Sequence, residues 1–420
     1  MLGRPRPGPY FEKLICMPKP QLSRLEFVAL MAMMFATVAF SIDAMLPGLP
    51  DIGATLSPDA PNRAQLIVTS FVLGMGLATF VIGPLSDAYG RRPILLAGAG
   101  LYIVAAGLAW AAQSLEVVLA ARVLQGVGAA GPRIVAMAII RDLYSGRQMA
   151  RIMSLTMMVF TLVPAISPLL GAYLIGLWGW KSIFLAFIFF ALVSAGWLAL
   201  RQPESLPPAR RQPMRLAVMI DGLGQMFAHP TVRLAILAQA FCYAMLFMMI
   251  SLVQPVYDQV FDANDSFPLW FAVVSMVAAS ASLLNALLVM RLGMRRLASM
   301  AFAGQALCSA MVTLLWLLAP SNGAMFAVFI LWQASVFFIT GLTIGNLNAI
   351  AMEPMGHIAG MAASVIGSVA TVAGAVFAMP VGLVFDGTLL PLSAGLTAVN
   401  LGAWATLVYM RKLEQRLHLR

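Results

Sequence analysis

Long apolar runs alternate with short polar interruptions along almost the whole chain. A helix needs roughly 20 consecutive apolar residues to cross a membrane, and twelve such runs lie between charged residues and Gly or Pro breaks. Their approximate limits are 25–47, 64–86, 93–112, 116–140, 150–176, 180–200, 232–257, 267–290, 295–319, 323–350, 358–384 and 391–410. The pattern therefore predicts an all-α integral membrane protein with twelve transmembrane helices, spans 1 to 12.

One long polar gap, RQPESLPPARRQPMR at residues 201–215, divides the spans into six and six. This arrangement predicts two pseudo-symmetric six-helix bundles around a central path. Aligning Gly90 on Gly293 places a basic pair after each glycine, as an internal duplication would. The predicted organisation is a tail at 1–24, a first bundle at 25–200, a linker at 201–228, a second bundle at 229–410 and a tail at 411–420.

The composition agrees with a membrane protein. Apolar residues make up 61% of the 420 positions and charged residues only 10%, whereas soluble domains have about 45–50% and about 25%. The cysteines and histidines, three of each, show no ligand or disulfide spacing. We therefore expect neither a metal site nor a cofactor.

The positive charges indicate an orientation. If the N-terminus is cytoplasmic, the inside segments hold 22 of the 26 Lys and Arg residues, while Arg63 and Lys181 lie outside. Such a bias predicts that both termini are cytoplasmic. The net charge of +10 is then explained by basic residues that face anionic lipid of the inner leaflet, and we expect no nucleic-acid partner.

The loop between spans 2 and 3, GPLSDAYGRRP at residues 83–93, concentrates charge at the edge of an apolar segment. Its acid, Asp87, can face the positive N-terminal end of a helix or accept hydrogen bonds from an arginine. Gly83 and Gly90 allow close helix approach and a tight turn. A contact formed only when one side is closed would favour one of two conformations.

This loop resembles the G-x-L-x-D-x-x-G-R-R/K loop of the major facilitator superfamily. The form GPLSDxxGRRP is most similar to the Bcr/CflA-type drug:proton antiporters, although Ala88 replaces the usual basic residue. The resemblance implies a latch for the outward-open form, partnered by the helix that starts near His357. We define the latch as a set of six residues: Gly83, Asp87, Gly90, Arg91, Arg92 and Asp142.

Span 4 contains two arginines. An arginine within a membrane span costs about 2.5–3.5 kcal/mol and must face a cavity or a partner. Arg122, with Gln125, Gly126 and Gly128, resembles the family pattern R-x-x-Q-G-x-G, which implies a role in proton coupling. Arg133 falls within about 20° of the same helix face. It either lines the inner half of the path or reaches for lipid headgroups.

Spans 1 and 5 carry further candidates. Asp43 precedes Pro47 by four residues, and in this family an acid at that position faces the central cavity. Desolvation there would let the carboxyl exchange protons near neutral pH; the alternative is an exposed residue of the first outer loop. In span 5, Pro164, Pro168 and Gly171 partly match the antiporter signature, and the two prolines predict a bent helix.

The second half offers polar residues in apolar spans, of which Gln239, Tyr243 and Asn346 are assigned to the substrate path with Asp43, Gln125 and Arg133. The resulting hypothesis is a monomeric transporter that expels small lipophilic drugs or related metabolites in exchange for protons. The alternatives are a metabolite exporter or a proton symporter for uptake, and more remotely a membrane-embedded enzyme.

Overall fold

The computed structural model describes residues 22–214, 216–320 and 323–418. Within these ranges the chain is helical and contains no strand. Eleven segments are long and apolar enough to cross a membrane, and one of them, Met325–Leu383, consists of two helices that join at Met355. The part of the chain that the structure describes therefore contains twelve spans, and the protein is a multi-pass membrane protein. Most of the predicted tail at 1–24 lies outside the described residues.

The spans in order are Arg24–Asp43, Leu66–Tyr89, Arg91–Ala111, Leu115–Leu143, Gly146–Trp178, Ser182–Arg201, Pro230–Pro255, Phe267–Ala279 continued by Ala281–Leu292, Met294–Leu318, Met325–Met352, Ala359–Leu383 and Leu390–His418. Two shorter helices, Leu49–Leu56 and Leu216–Ala228, follow span 1 and precede span 7.

Three spans differ from the prediction, two of them for local reasons. Span 1 ends at Asp43 rather than near residue 47, because the ring of Pro47 would clash with the carbonyl four residues earlier, that of Asp43. Span 8 is interrupted at Ser280, whose hydroxyl donates to the Val277 carbonyl at 2.6 Å. Span 12 continues past residue 410 to His418.

The turns between spans 2 and 3 and between spans 8 and 9 have the same backbone form. Gly90 has φ 106° and ψ 157°, and Gly293 has φ 76° and ψ 154°. Side-chain-bearing residues rarely adopt positive φ, so each position favours glycine. The equivalence of these glycines agrees with the duplication that the sequence indicates.

Close backbone contacts hold spans 2, 3 and 4 together. A Cβ atom on Gly126 of span 4 would overlap the Phe71 carbonyl of span 2, and one on Gly74 would overlap the Val123 carbonyl. A Cβ on Gly128 would come within 2.6 Å of the Gly98 carbonyl oxygen of span 3. Small residues permit this approach, which gives membrane helices much of their packing energy.

The bundle has two faces. We call the one where the described chain begins and ends the terminal face. There Arg201 pairs with Glu26, and Arg295 pairs with Glu353 and Glu414. The other we call the opposite face.

The two halves of the chain meet along spans 2 and 11 and along spans 5 and 8. At the opposite face Asn62 donates to the Phe385 carbonyl, and buried Gln65 lies against Gly382. At the terminal face a cavity of about 660 Å³, the terminal cavity, separates the end of span 2 from the start of span 11. The structure is thus closed at the opposite face and open towards the terminal face.

The glycine contacts lead to a stability prediction. Replacement of Gly126 by Ala forces spans 2 and 4 apart and is expected to destabilise the protein by about 1–3 kcal/mol. Gly100 has no atom within 4 Å of the equivalent position, so Gly100→Ala is the matched control. The midpoint of thermal unfolding in detergent would be measured for both variants, and equal midpoints would contradict the packing described.

Candidate functional site

Asp43 lies at the end of span 1 and is 5% exposed. Its carboxyl group forms no hydrogen bond or ion pair with any described residue. The residues that follow, Ala44 to Leu46, are fully buried. Gly171 of span 5 packs against the main chain of Ala44, where a Cβ atom would overlap the carbonyl oxygen. The structure therefore places a carboxyl group inside the first half, with part of the span 5 signature beside it.

Arg122 is fully buried, and its guanidinium is held by oxygen atoms of neutral groups. Nε donates to the Ile67 carbonyl at 3.3 Å, Nη2 to the Ser41 carbonyl at 2.9 Å and Nη1 to Gln125 Oε1 at 2.7 Å. Its Cζ lies 4.5 Å from the ring centre of Phe71. Among the described residues no carboxylate pairs with this charge.

Two residues that the sequence analysis missed complete the surroundings of Arg122. The hydroxyls of Tyr102 and Ser41 are 2.5 Å apart, and Ser41 donates its proton to the Thr37 carbonyl, also at 2.5 Å. Tyr102 must therefore donate to Ser41. Spans 1, 3 and 4 thus converge on Ser41, two residues before Asp43. Polar atoms in apolar spans require hydrogen-bond partners inside the protein. The presence of Ser41 and Tyr102 in apolar spans was therefore the sequence signal for a buried contact.

The predicted path residues of the second half are buried. Tyr243 stacks on Phe247 with ring centres 5.7 Å apart. Asn346 donates to Asn285 at 2.8 Å, and Gln239 is 2% exposed. None of these side chains is hydrogen-bonded to Asp43 or Arg122.

A second charge cluster lies at the terminal face and contains the latch. Arg91 donates through Nε to Asp142 at 2.9 Å and through Nη1 to Ser86 at 2.8 Å, and it also pairs with Asp87. Arg92 donates to the Ala199 carbonyl of span 6. Arg91, Asp87 and Asp142 thus form one connected network.

The terminal cavity is lined by the first half, the linker and the second half. Its lining includes the following residues: Gly83, Asp87, Arg91, Ile134, Ala138, Arg141, Gln212, Met214, His357, Ile358, Met361 and Ser364. The volume falls within the range of sites for drug-sized ligands. Arg133 is exposed and immediately precedes Ile134 in span 4. The start of span 11, the expected partner of Asp87, lines the other side of this cavity.

The comparison with known proteins decides the family. A family model described as Major Facilitator Superfamily matches residues 28–378. The chain belongs to the Major Facilitator Superfamily. As a member of this superfamily it is a membrane transporter and not an enzyme. Among the described residues no group of three His, Cys, Asp or Glu side chains could hold a metal ion.

Its relatives within the superfamily include named resistance proteins. The bicyclomycin resistance protein homolog of Haemophilus influenzae is 28% identical over 360 residues, covering 85% of this chain and 88% of the relative. The chloramphenicol resistance protein of Pseudomonas aeruginosa is 37% identical over 166 residues, covering 39% of each chain.

Solved structures agree on the fold. The crystal structure of a peptide transporter in complex with sulfate has a TM-score of 0.73 at 12% identity, covering 95% of this chain and 96% of that one. The D-xylose–proton symporter has a TM-score of 0.70 at 14% identity, covering 91% and 98%.

The network around Ser41 leads to a second prediction. Tyr102→Phe removes one buried hydrogen bond and is expected to destabilise the protein by about 1 kcal/mol. Tyr173 is 65% exposed, so Tyr173→Phe is the control and should change little. Reversible unfolding in mixed detergents would compare the two variants, and a loss of equal size in both would contradict the assignment.

Proposed function

We propose that this protein exports small, mainly lipophilic compounds in exchange for protons, by alternating access across the inner membrane. The terminal face, where the positive charges concentrate, is the cytoplasmic one. The family, and the resistance proteins among its relatives, support this assignment. The protein works as a monomer and uses the proton gradient in place of a cofactor.

The observation that carries the proposal is the burial of Asp43 without a partner. An isolated ionised carboxylate in such surroundings is strongly disfavoured. With the opposite face closed, Asp43 therefore holds a proton. When the opposite face opens, water reaches this end of span 1 and proton exchange with the outside becomes possible.

Arg122 provides a positive charge, without a carboxylate partner, in the same half of the protein as Asp43. It holds the carbonyl of Ser41 at 2.9 Å, two residues before the acid, and has no carboxylate of its own. Gln125 fixes one end of the guanidinium at 2.7 Å. An ionised Asp43 would be stabilised if a movement of span 1 brought its carboxylate towards this cation. Proton release and substrate loading then occur on the terminal side.

The path for the substrate begins at the terminal cavity. Arg133, exposed one residue before the cavity-lining Ile134, is assigned to the inner half of the path. Gln239, Tyr243 and Asn346 contribute neutral polar groups from the second half. The span 5 residues Pro164, Pro168 and Gly171 shape the wall against which the end of span 1 packs.

The latch sets the balance between the two conformations. In the structure the carboxylate of Asp87 pairs with Arg91, and the side chain stays 48% exposed beside the terminal cavity. Closure of that cavity would bring Asp87 to the N-terminal end of span 11, where a helix dipole favours an anion. Gly83 allows the approach, Gly90 forms the turn, and Arg92 and Asp142 hold the network in place.

Exchange in vesicles tests the proposal. In proteoliposomes with an imposed pH gradient, wild-type protein should move chloramphenicol or another candidate drug against its concentration gradient. Asp43→Asn should lose this accumulation, because the residue no longer binds and releases a proton, yet should still equilibrate the drug across the membrane.

The matched control is Asp59→Asn, which changes an exposed acid near the opposite face and should leave transport unchanged. Wild-type flux that is independent of the pH gradient would exclude antiport. Accumulation retained by Asp43→Asn would exclude Asp43 as the proton site.

A further inference from the structure

The linker between the two halves binds directly to the latch. Glu204 is the one acid of the segment 201–215, and its carboxylate accepts three main-chain N–H groups. Oε1 accepts from Arg91 and from Leu206, both at 2.9 Å, and Oε2 accepts from Arg92 at 3.1 Å. Two of these donors are the first residues of span 3. A residue 113 positions away along the chain thus occupies the place of a helix cap.

The next linker residue contacts the side-chain partner of Arg91. Ser205 Oγ donates to Asp142 Oδ2 at 3.1 Å, the same oxygen that accepts from Arg91 Nε at 2.9 Å. Ser205 is 3% exposed. Glu204 therefore fixes the main chain of Arg91, while Ser205 fixes the carboxylate to which its guanidinium is bound.

The turn itself is shaped to receive these contacts. A Cβ atom on Gly90 would lie 2.6 Å from Glu204 Oε2, and the φ of 106° there also favours glycine. Further along the linker, the N–H of Gln212 donates to the Asp87 carbonyl at 3.1 Å. The linker thus meets the latch at both ends of the turn between spans 2 and 3.

The two members of the ion pair between Arg91 and Asp87 differ in exposure. The Arg91 side chain is 8% exposed and the Asp87 side chain 48%. Arg91 is held by the linker and by span 4, while the carboxylate of Asp87 borders the terminal cavity opposite the start of span 11. Only Asp87 has room to change partners.

We propose that Glu204 and Ser205 are positioning residues of the latch, which hold Arg91 in place so that Asp87 can reach span 11 when the terminal cavity closes. This inference rests on the latch described under the proposed function. It makes the linker a working part of the conformational switch rather than only the connection between the halves. Loss of either residue should weaken the latch through Arg91 and leave the bundle folded.

A distance measurement across the terminal face tests the proposal without a substrate. Spin labels at Gln148→Cys and Gly356→Cys, both exposed and in different halves, report closed and open forms by pulsed EPR. The background carries alanine at the three native cysteines, and the pH is chosen so that the wild type populates both forms. The variants are Asp87→Asn, Glu204→Gln and their combination.

Glu204→Gln keeps the side-chain length but replaces one acceptor oxygen by a donor. It should lower the ratio of closed to open forms roughly tenfold, equivalent to about 1.4 kcal/mol, the order of one hydrogen bond to a charged group. Asp87→Asn should act in the same direction. The double variant should resemble Asp87→Asn alone, because residues of one network are not additive.

Controls separate positioning from general damage. Ser205→Thr keeps the hydroxyl and should restore the ratio that Ser205→Ala loses. Ala209→Ser, at an exposed linker position, should resemble the wild type. Thermal unfolding of every variant should show intact bundles.

The outcomes also separate this inference from the latch itself. An unchanged ratio in Glu204→Gln alongside an altered ratio in Asp87→Asn would reject the linker role and leave the latch standing. Strictly additive effects would show that Glu204 acts elsewhere, which also rejects the role. An Asp87→Asn variant identical to wild type would reject the latch and the inference together.

Discussion

The burial of the Arg122 guanidinium without a carboxylate is the constraint on which the rest of the structure depends. A charge removed from water must be compensated by hydrogen bonds or by an opposite charge. Here the compensation comes from two main-chain carbonyls and Gln125, with the ring of Phe71 beside the cation. These partners belong to spans 1, 2 and 4, so one side chain joins three helices near the end of span 1.

The buried polar groups of the two halves differ in charge. Among the described residues the buried charged side chains are Asp43, Arg91 and Arg122, all in the first half. The buried polar groups of the second half are amides and hydroxyls. Neutral groups can bind a lipophilic compound but cannot take up a proton at physiological pH. The arrangement therefore favours proton handling in the first half and a larger share of substrate contacts in the second.

The sequence predicts the helices well because lipid imposes a simple rule. Apolar length locates twelve spans, and charged or Gly-Pro breaks locate their ends to within a few residues. The exceptions are span 1, which Pro47 ends at Asp43, span 8, which Ser280 interrupts, and span 12, which continues to His418.

The site was only partly predictable. Asp43, Arg122 and Asp87 are visible as charges where charges are costly or patterned. Tyr102 and Ser41 are not, because their roles arise from helix packing between positions 61 residues apart. Glu204 looks like a solvated linker residue, since nothing in the sequence indicates that the linker folds back onto span 3.

The most direct test of this account is the stoichiometry of proton release on substrate binding. Purified protein in weakly buffered detergent would be mixed with a drug that the vesicle assay shows to be transported, while a pH indicator records free protons. The account predicts about one proton released per drug bound by wild-type protein and none by Asp43→Asn. Tight binding by the wild type without any proton release would contradict it.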